Sequence, residues 1–381
     1  MNEYNTCQPS TGYKAKESYE MAGIHAQAHL VLWLLLGVAS YLGDTGRIQA
    51  ADIISRRNGT RVSGRITSVS ATEVVVKPPT GDPVTVPGNE IVAIEWNDAP
   101  VQMRLALADE NGGRFEAALQ KLSQCKADVG NSPDTEALRL ELDFLMARVA
   151  ARQALASPQT RQQAISSLKS FLQAGANHIR YYEALRWLGE LQLAERDFES
   201  ARQTFQRVAQ APWNDYQLLA RIYQGRILMA QDQPNLAEQE FEAVISSAGE
   251  GPGEQQRKYE AMLGKARALI QQSKHDEALK MLDEIIDKTS PEDTAAMAEA
   301  YILQGHAYQA LNRPKEAVLA YLHVDVLFPR ETGYHAEALY HLVRLWRQVQ
   351  QPERSLDSEA RLQSLYPQSE WVKRLGAGQA N

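Results

Sequence analysis

The feature that most constrains this chain is a recurrence. From residue 101 onward apolar residues return with helical spacing, and one set of small residues returns in phase. Ala201, Ala237, Ala278, Ala317 and Ser355 are separated by 36, 41, 39 and 38 positions. A period of this length means that one supersecondary unit is copied along the chain. Each copy buries its apolar face against its neighbours, so the product is an elongated solenoid and not a single globular core.

Other positions keep the same phase. The copy from Ala298 carries Tyr301, Gln304-Gly305, Tyr308, Ala317, Tyr321 and Pro329, and the copy from Tyr182 carries Leu185, Leu188-Gly189, Phe198, Ala201 and Phe205. Those from Leu218 and Tyr259 keep Gly225, Ala237 and Phe241, and Ala266, Leu269, Ala278 and Leu282. The copy from Ala336 keeps Leu339, Leu342, Trp346 and Pro367, but has Val343 and Ser355 at its two small positions. Upstream, Leu105-Ala106, Phe115, Ala118 and Leu122 form a first hairpin, and residues 134–175 form another with Ala164, Leu168 and Phe171. Connectors such as Ala248–Gly253 and Ser290–Asp293 lengthen the period.

This pattern resembles the tetratricopeptide repeat, a 34-residue helix–turn–helix with Trp-x2-Leu-Gly-x2-Tyr, then Ala-x3-Phe, then Pro. The resemblance implies a mainly α protein: a right-handed solenoid of about seven hairpins over residues 101–375, with a flexible tail at 376–381. Residues 365–375, Leu-Tyr-Pro-Gln-Ser-Glu-Trp-Val-Lys-Arg-Leu, also resemble the bacterial periplasmic subgroup that includes the Tol–Pal coordinator and outer-membrane assembly lipoproteins. In such arrays the first helix of each hairpin lines the concave face, and its positions 2, 5, 9, 12 and 13 meet a protein or peptide ligand. The candidate groove residues are therefore Arg186, Glu190, Arg226, Arg267, His306, Tyr340, Arg344 and Arg347. Position 9 reads Glu190, Arg226, Arg267, His306 and Arg344, and position 2 reads Glu183, Leu219, Glu260, Glu299 and Glu337. Two readings stay open. The arginines form a stripe for acidic or C-terminal carboxylate groups, or they pair with the position-2 glutamates in surface ion pairs that add little stability.

The period changes before residue 101. Short β-branched runs at Asp52–Arg56, Arg61–Ile66, Glu73–Lys77, Pro83–Pro87 and Glu90–Trp96 are split by Asn58-Gly59 and by the loop Pro78–Pro83. They read as strands of a small barrel-like domain spanning residues 52–97. The segment resembles SH3-like or Sm-like modules of bacterial envelope proteins. Arg56, Arg57, Arg61 and Arg65 either form a basic patch or are solvated strand residues.

Residues 1–50 read as a leader. The apolar run 30–42 is too short for a bilayer span and suits a signal-peptide core. Cleavage after Ser40 or Ala50, a start at Met21, and retention of residues 22–43 as a hydrophobic anchor helix in the inner membrane are the alternatives. These expect export to the periplasm or cell envelope, with membrane contact only through this segment; a cytosolic protein is the remaining alternative.

The net charge of −7 opposes general nucleic-acid binding, which needs a cationic face. Of two cysteines, Cys7 falls in the leader and Cys125 lies among apolar helical positions, so neither a disulfide nor a thiolate metal site is expected. His178, His275, His306, His323, His335 and His341 form no HExxH motif and are read as helix-surface residues. Neither a phosphate-binding glycine loop nor a Gly-x-Ser-x-Gly elbow occurs. The sequence therefore predicts no catalytic site, no metal and no cofactor. It predicts a non-enzymatic scaffold for a protein or peptide partner, with a self-assembling or cell-wall-binding structural component as the alternative.

Overall fold

The computed structural model describes residues 51–379, with side chains to residue 376. The expected leader, its apolar run and the possible anchor lie outside the described residues. Among the described residues no helix is long and apolar enough to cross a membrane.

Five strands come first: β1 (Asp52–Arg56), β2 (Arg61–Val69), β3 (Glu73–Lys77), β4 (Val84–Pro87) and β5 (Ile91–Glu95). All pairs are antiparallel and the order is β4-β3-β2-β1-β5. The barrel-like closure expected from the strand pattern is not present. The sheet is bent by register shifts at Ser55/Arg56 and Ile66/Ser68 but stays open. Its free edges are β4 and β5. Pro83 precedes the short β4 and Pro87 ends it, and a proline has no N–H to offer a further strand. Ile54, Val74, Val76, Val86, Ile91 and Ile94 form the sheet's core.

Fifteen α-helices follow among the described residues. They are α1 (Val101–Asn111), α2 (Phe115–Asp128), α3 (Glu136–Ala156), α4 (Arg161–Ala174), α5 (Tyr181–Ala194), α6 (Phe198–Val208), α7 (Asn214–Ala230), α8 (Pro234–Ser247), α9 (Pro252–Gln271), α10 (His275–Lys288), α11 (Thr294–Ala310), α12 (Pro314–Leu327), α13 (Thr332–Gln348), α14 (Pro352–Leu365) and α15 (Glu370–Gln379). The first fourteen pair as seven hairpins, and α15 packs on the last of them through Leu375 and Trp371.

Six of these hairpins turn in one way. Gly113, Arg196, Asp232, Ser273, Asn312 and Gln350 each take a positive φ just after the first helix. The N–H of that residue returns to the carbonyl three back, and the next N–H to the carbonyl five back. Asn312 N to Gln309 O at 3.0 Å and Arg313 N to Tyr308 O at 2.9 Å are one such pair. This Schellman closure satisfies carbonyls that the helix end leaves bare, which offsets a left-handed conformation costing about 1–2 kcal/mol in a residue with a Cβ. Proline then starts α8, α12 and α14, where a missing N–H costs nothing. The α3–α4 hairpin departs from the rule and turns through Ser157 and a single 3-10 turn, Pro158–Thr160.

The repeated small residues sit at fixed offsets from these turns. Five residues after each come Ala118, Ala201, Ala237, Ala278, Ala317 and Ser355, all fully buried. Ser355 is tolerated because its hydroxyl donates to Val343 O at 2.7 Å. Seven residues before each turn come Ala106, Gly189, Gly225, Ala266, Gly305 and Val343, and nine after it come Leu122, Phe205, Phe241, Leu282, Tyr321 and Glu359. Glycine occurs where the facing residue is aromatic. A Cβ on Gly189, Gly225 or Gly305 would lie closer than 3.0 Å to the ring of Phe205, Phe241 or Tyr321 respectively. Where leucine faces it, alanine suffices.

The sheet is seated on the edge of the array formed by the loops that enter α5, α7 and α9. Ile179 completes the sheet's core, and Gly88 leaves no room for a Cβ against Ile179 and Trp213. Asn89 Nδ2 donates to Asp215 Oδ1 at 3.0 Å, and Arg57 Nη1 to Gln256 Oε1 at 2.7 Å.

Candidate functional site: the face shared by the first helices

The first helices of successive hairpins stand side by side, so position 9 of one repeat meets position 2 of the next. Arg267 Nη2 reaches Glu299 Oε1 at 2.9 Å, and His306 Nε2 reaches Glu337 Oε1 at 3.1 Å. Tyr334 donates to the other Glu299 oxygen at 2.8 Å. Arg226 lies over the Tyr223 ring at 4.7 Å and faces Glu190, Glu260 and Glu299; burial opposes its charge, but these neighbours keep it protonated. Glu190 receives Arg186 from its own helix at 2.6 Å and a short hydrogen bond from the Tyr223 hydroxyl. Burial first, then the Glu190 charge, holds that phenol in its neutral form.

The pattern continues toward the first hairpin with deeper burial. Arg148 and Arg152 converge on Glu110, and Arg180 grips Glu141 at 2.9 Å while reaching Glu183 at 3.2 Å. Glu110 and Glu141 are each only 1% exposed, so their arginines are obligatory partners for charges that water cannot reach.

The predicted groove residues fall into four groups. Arg186, Glu190 and Arg226 are joined through Tyr223, and Arg267 and His306 are each joined to a glutamate of the following repeat. Tyr340 packs against Trp371 at 5.1 Å, with exposed Arg344 over its ring at 6.0 Å. Arg347 turns instead into its own hairpin, donating to Ser355 Oγ at 3.0 Å and pairing with Glu359 at 2.9 Å. In the sheet, Arg56 pairs with Glu90 and Arg57 is committed to Gln256, whereas Arg61 and Arg65 are exposed.

The surface assignment of the histidines needs correction. His178 and His335 are each 2% exposed. His178 sits 3.2 Å from Ala137 O. His335 bridges Asp325 and the Tyr366 hydroxyl, both at 2.7 Å, while Arg361 grips Asp325 at 2.8 and 2.6 Å. A buried imidazole is acceptable when its ring nitrogens are hydrogen-bonded, and those partners lie 10 to 41 positions away. One signal in the sequence was passed over: Glu337 and His341, four apart, share a helix face.

A tetratricopeptide repeat family model matches residues 159–216 and 224–294. No curated protein matches. Among solved structures, a Rap protein complexed with Competence and Sporulation Factor is 12% identical with a TM-score of 0.50, over 72% of this chain and 79% of its own. A tetratricopeptide repeat protein from Parabacteroides merdae is 16% identical with a TM-score of 0.49, over 74% and 98%. PilW, a type IV pilus biogenesis factor, is 14% identical with a TM-score of 0.41, over 60% and 97%. At such identities the likeness is one of fold. The family match covers about a third of the chain, most of it on hairpins that share one turn and one set of small residues, and the helical part of this chain is similar in fold to tetratricopeptide-repeat arrays.

Proposed function

We propose that this chain is a non-enzymatic interaction scaffold of the cell envelope that holds a protein or peptide segment against the face of its first helices, in the manner of the periplasmic tetratricopeptide subgroup. The observation that carries the reading is the polar ladder on that face. Solenoids offer extended concave surfaces to partners, and Arg226, Arg267, His306 and Arg344 recur at one helix position in successive first helices of this chain. Arg267 and Arg344 are exposed, so a carboxylate from a partner can compete for their forks. The apolar run at residues 30–42 supports export or anchoring, and the sheet serves as an accessory contact.

The test is capture from fractionated host cells with the tagged full-length chain, beside a variant carrying Arg267→Glu and Arg344→Glu. The expected result is that the chain is recovered in the envelope fraction with a specific protein that the variant loses at least 10-fold. Equal capture by both chains moves the binding surface off this ladder. Recovery in the cytosol removes the envelope from the reading.

A further inference from the structure

The sixth and seventh hairpins bring His306 together with two side chains more than 30 positions further along the chain, Glu337 and His341. His306 follows Gly305 on α11, and Glu337 and His341 lie one turn apart on α13. One potential donor atom from each lies within 4.8 Å of the other two. His306 already contacts Glu337 at 3.1 Å, and the His306 and His341 rings are 5.2 Å apart. All three side chains are half-buried.

The surroundings fix one of these donors. The His341 ring stacks flat on Tyr321 at 4.8 Å with 4° between planes, and Tyr340 meets it edge-on at 5.2 Å. Its Nδ1 is buried with no hydrogen-bond partner among the described residues. An orphaned buried imidazole nitrogen calls for an explanation, and a bound ion supplies one. Arg344 and Arg374, near the His341 ring, disfavour a cation; the Glu337 carboxylate offsets them.

We propose that His306, Glu337 and His341 form a binding site for a divalent first-row transition metal, zinc fitting best, in the wall between the sixth and seventh hairpins. Two imidazoles and one carboxylate select such an ion over magnesium or calcium, which take oxygen ligands. Donors around tetrahedral zinc are about 3.4 Å apart, given bonds of about 2.0–2.2 Å. The donors, within 4.8 Å of one another, have about 1.4 Å at most to close, a shift on the scale of side-chain rotation. Three protein ligands leave one coordination position for water or for a donor from a bound segment. The site does not depend on the groove reading, because the ion is tested without a partner.

The full-length chain, freed of metal with a chelator, is titrated with Co2+ and followed by visible absorption, with Zn2+ as competitor. The expected result is one equivalent of Co2+ with intensified d–d bands, no sulfur-to-metal charge-transfer band, and displacement by Zn2+. Glu337→Gln and His306→Ala, each checked for unchanged circular dichroism, weaken binding at least about 10-fold. Glu337→Gln preserves size and hydrogen bonding and so separates loss of a ligand from loss of fold. Absence of any band beyond that of the free ion, a thiolate band implicating Cys7 or Cys125, or binding by both variants equal to that of the unsubstituted chain overturns the proposal.

Discussion

At Asp325 and His178 a charge is settled by its immediate contacts, and the settlement makes the fold acid-sensitive in two separate windows. Burial pushes the His178 imidazole below its ordinary 6.5 despite the attraction of Glu141. The unfolded chain then takes up the proton first, and stability falls as pH drops below about 6.5 toward the lower folded value. Burial would raise the Asp325 carboxyl, but hydrogen bonds from His335 and Arg361 outweigh it and hold it below its ordinary 3.8. Its contribution is complete above the unfolded value and is lost as pH falls through the lower folded one. Urea unfolding between pH 7.5 and 5 should show stability declining by at most about 1.4 kcal/mol per pH unit from His178, and His178→Gln should flatten that slope. Asp325→Asn should cost about 3 kcal/mol at pH 7, because it leaves His335 and Arg361 without their buried anion. A loss below about 1 kcal/mol would show that solvent replaces the carboxylate. Neither contact was legible beforehand. Histidine is a common surface residue, and nothing local in the sequence around Asp325 announces Arg361, 36 positions away.

Within five of the seven hairpins, size is matched across a fixed interval of sixteen residues. Gly189 faces Phe205, Gly225 faces Phe241 and Gly305 faces Tyr321, whereas Ala106 shares a core with Leu122 and Ala266 with Leu282. One volume is divided between two positions, so the pair and not either residue is what the fold specifies. Gly305→Ala should therefore destabilise by about 1–3 kcal/mol through overpacking, reduced by about 1 kcal/mol of helix propensity. Combining it with Tyr321→Leu recreates the pair used in the first and fifth hairpins. The double variant should be more stable than the sum of the single losses by about 0.5–3 kcal/mol. Strict additivity in a thermal or urea double-mutant cycle would show that the two positions are independent. This regularity was visible in the sequence as small residues in phase. The left-handed residue at each turn was not, because Arg196, Ser273 and Gln350 are not residue types that advertise positive φ.

Across the whole molecule, the sheet and the array share a boundary. Trp213 and Ile179 close against Gly88, and Asn89 and Arg57 tie the sheet to the starts of α7 and α9. Trp213→Ala should free the sheet edge and cost about 2–4 kcal/mol for a half-buried tryptophan. Limited proteolysis should then cut faster at the Asn97–Pro100 connector, and hydrogen exchange in β4 and β5 should rise while the last hairpins stay protected. Unchanged protection in both strands would show that the strand ladder, not the docking, orders the sheet. What the sequence determined by itself was every property set by local periodicity: helices from 101 onward, about seven hairpins, and strands between 52 and 96. Those follow from the 3.6- and 2-residue spacing of apolar groups and from Gly, Pro and Ala at fixed offsets, all of which act within one hairpin. The tertiary structure alone decided that the sheet stays open, that it rests on the array's edge, that position 9 meets position 2 of the next repeat, and that His306 joins Glu337 and His341. The last three are contacts between elements 30 or more residues apart, whose geometry depends on how the elements stack, which no local pattern encodes.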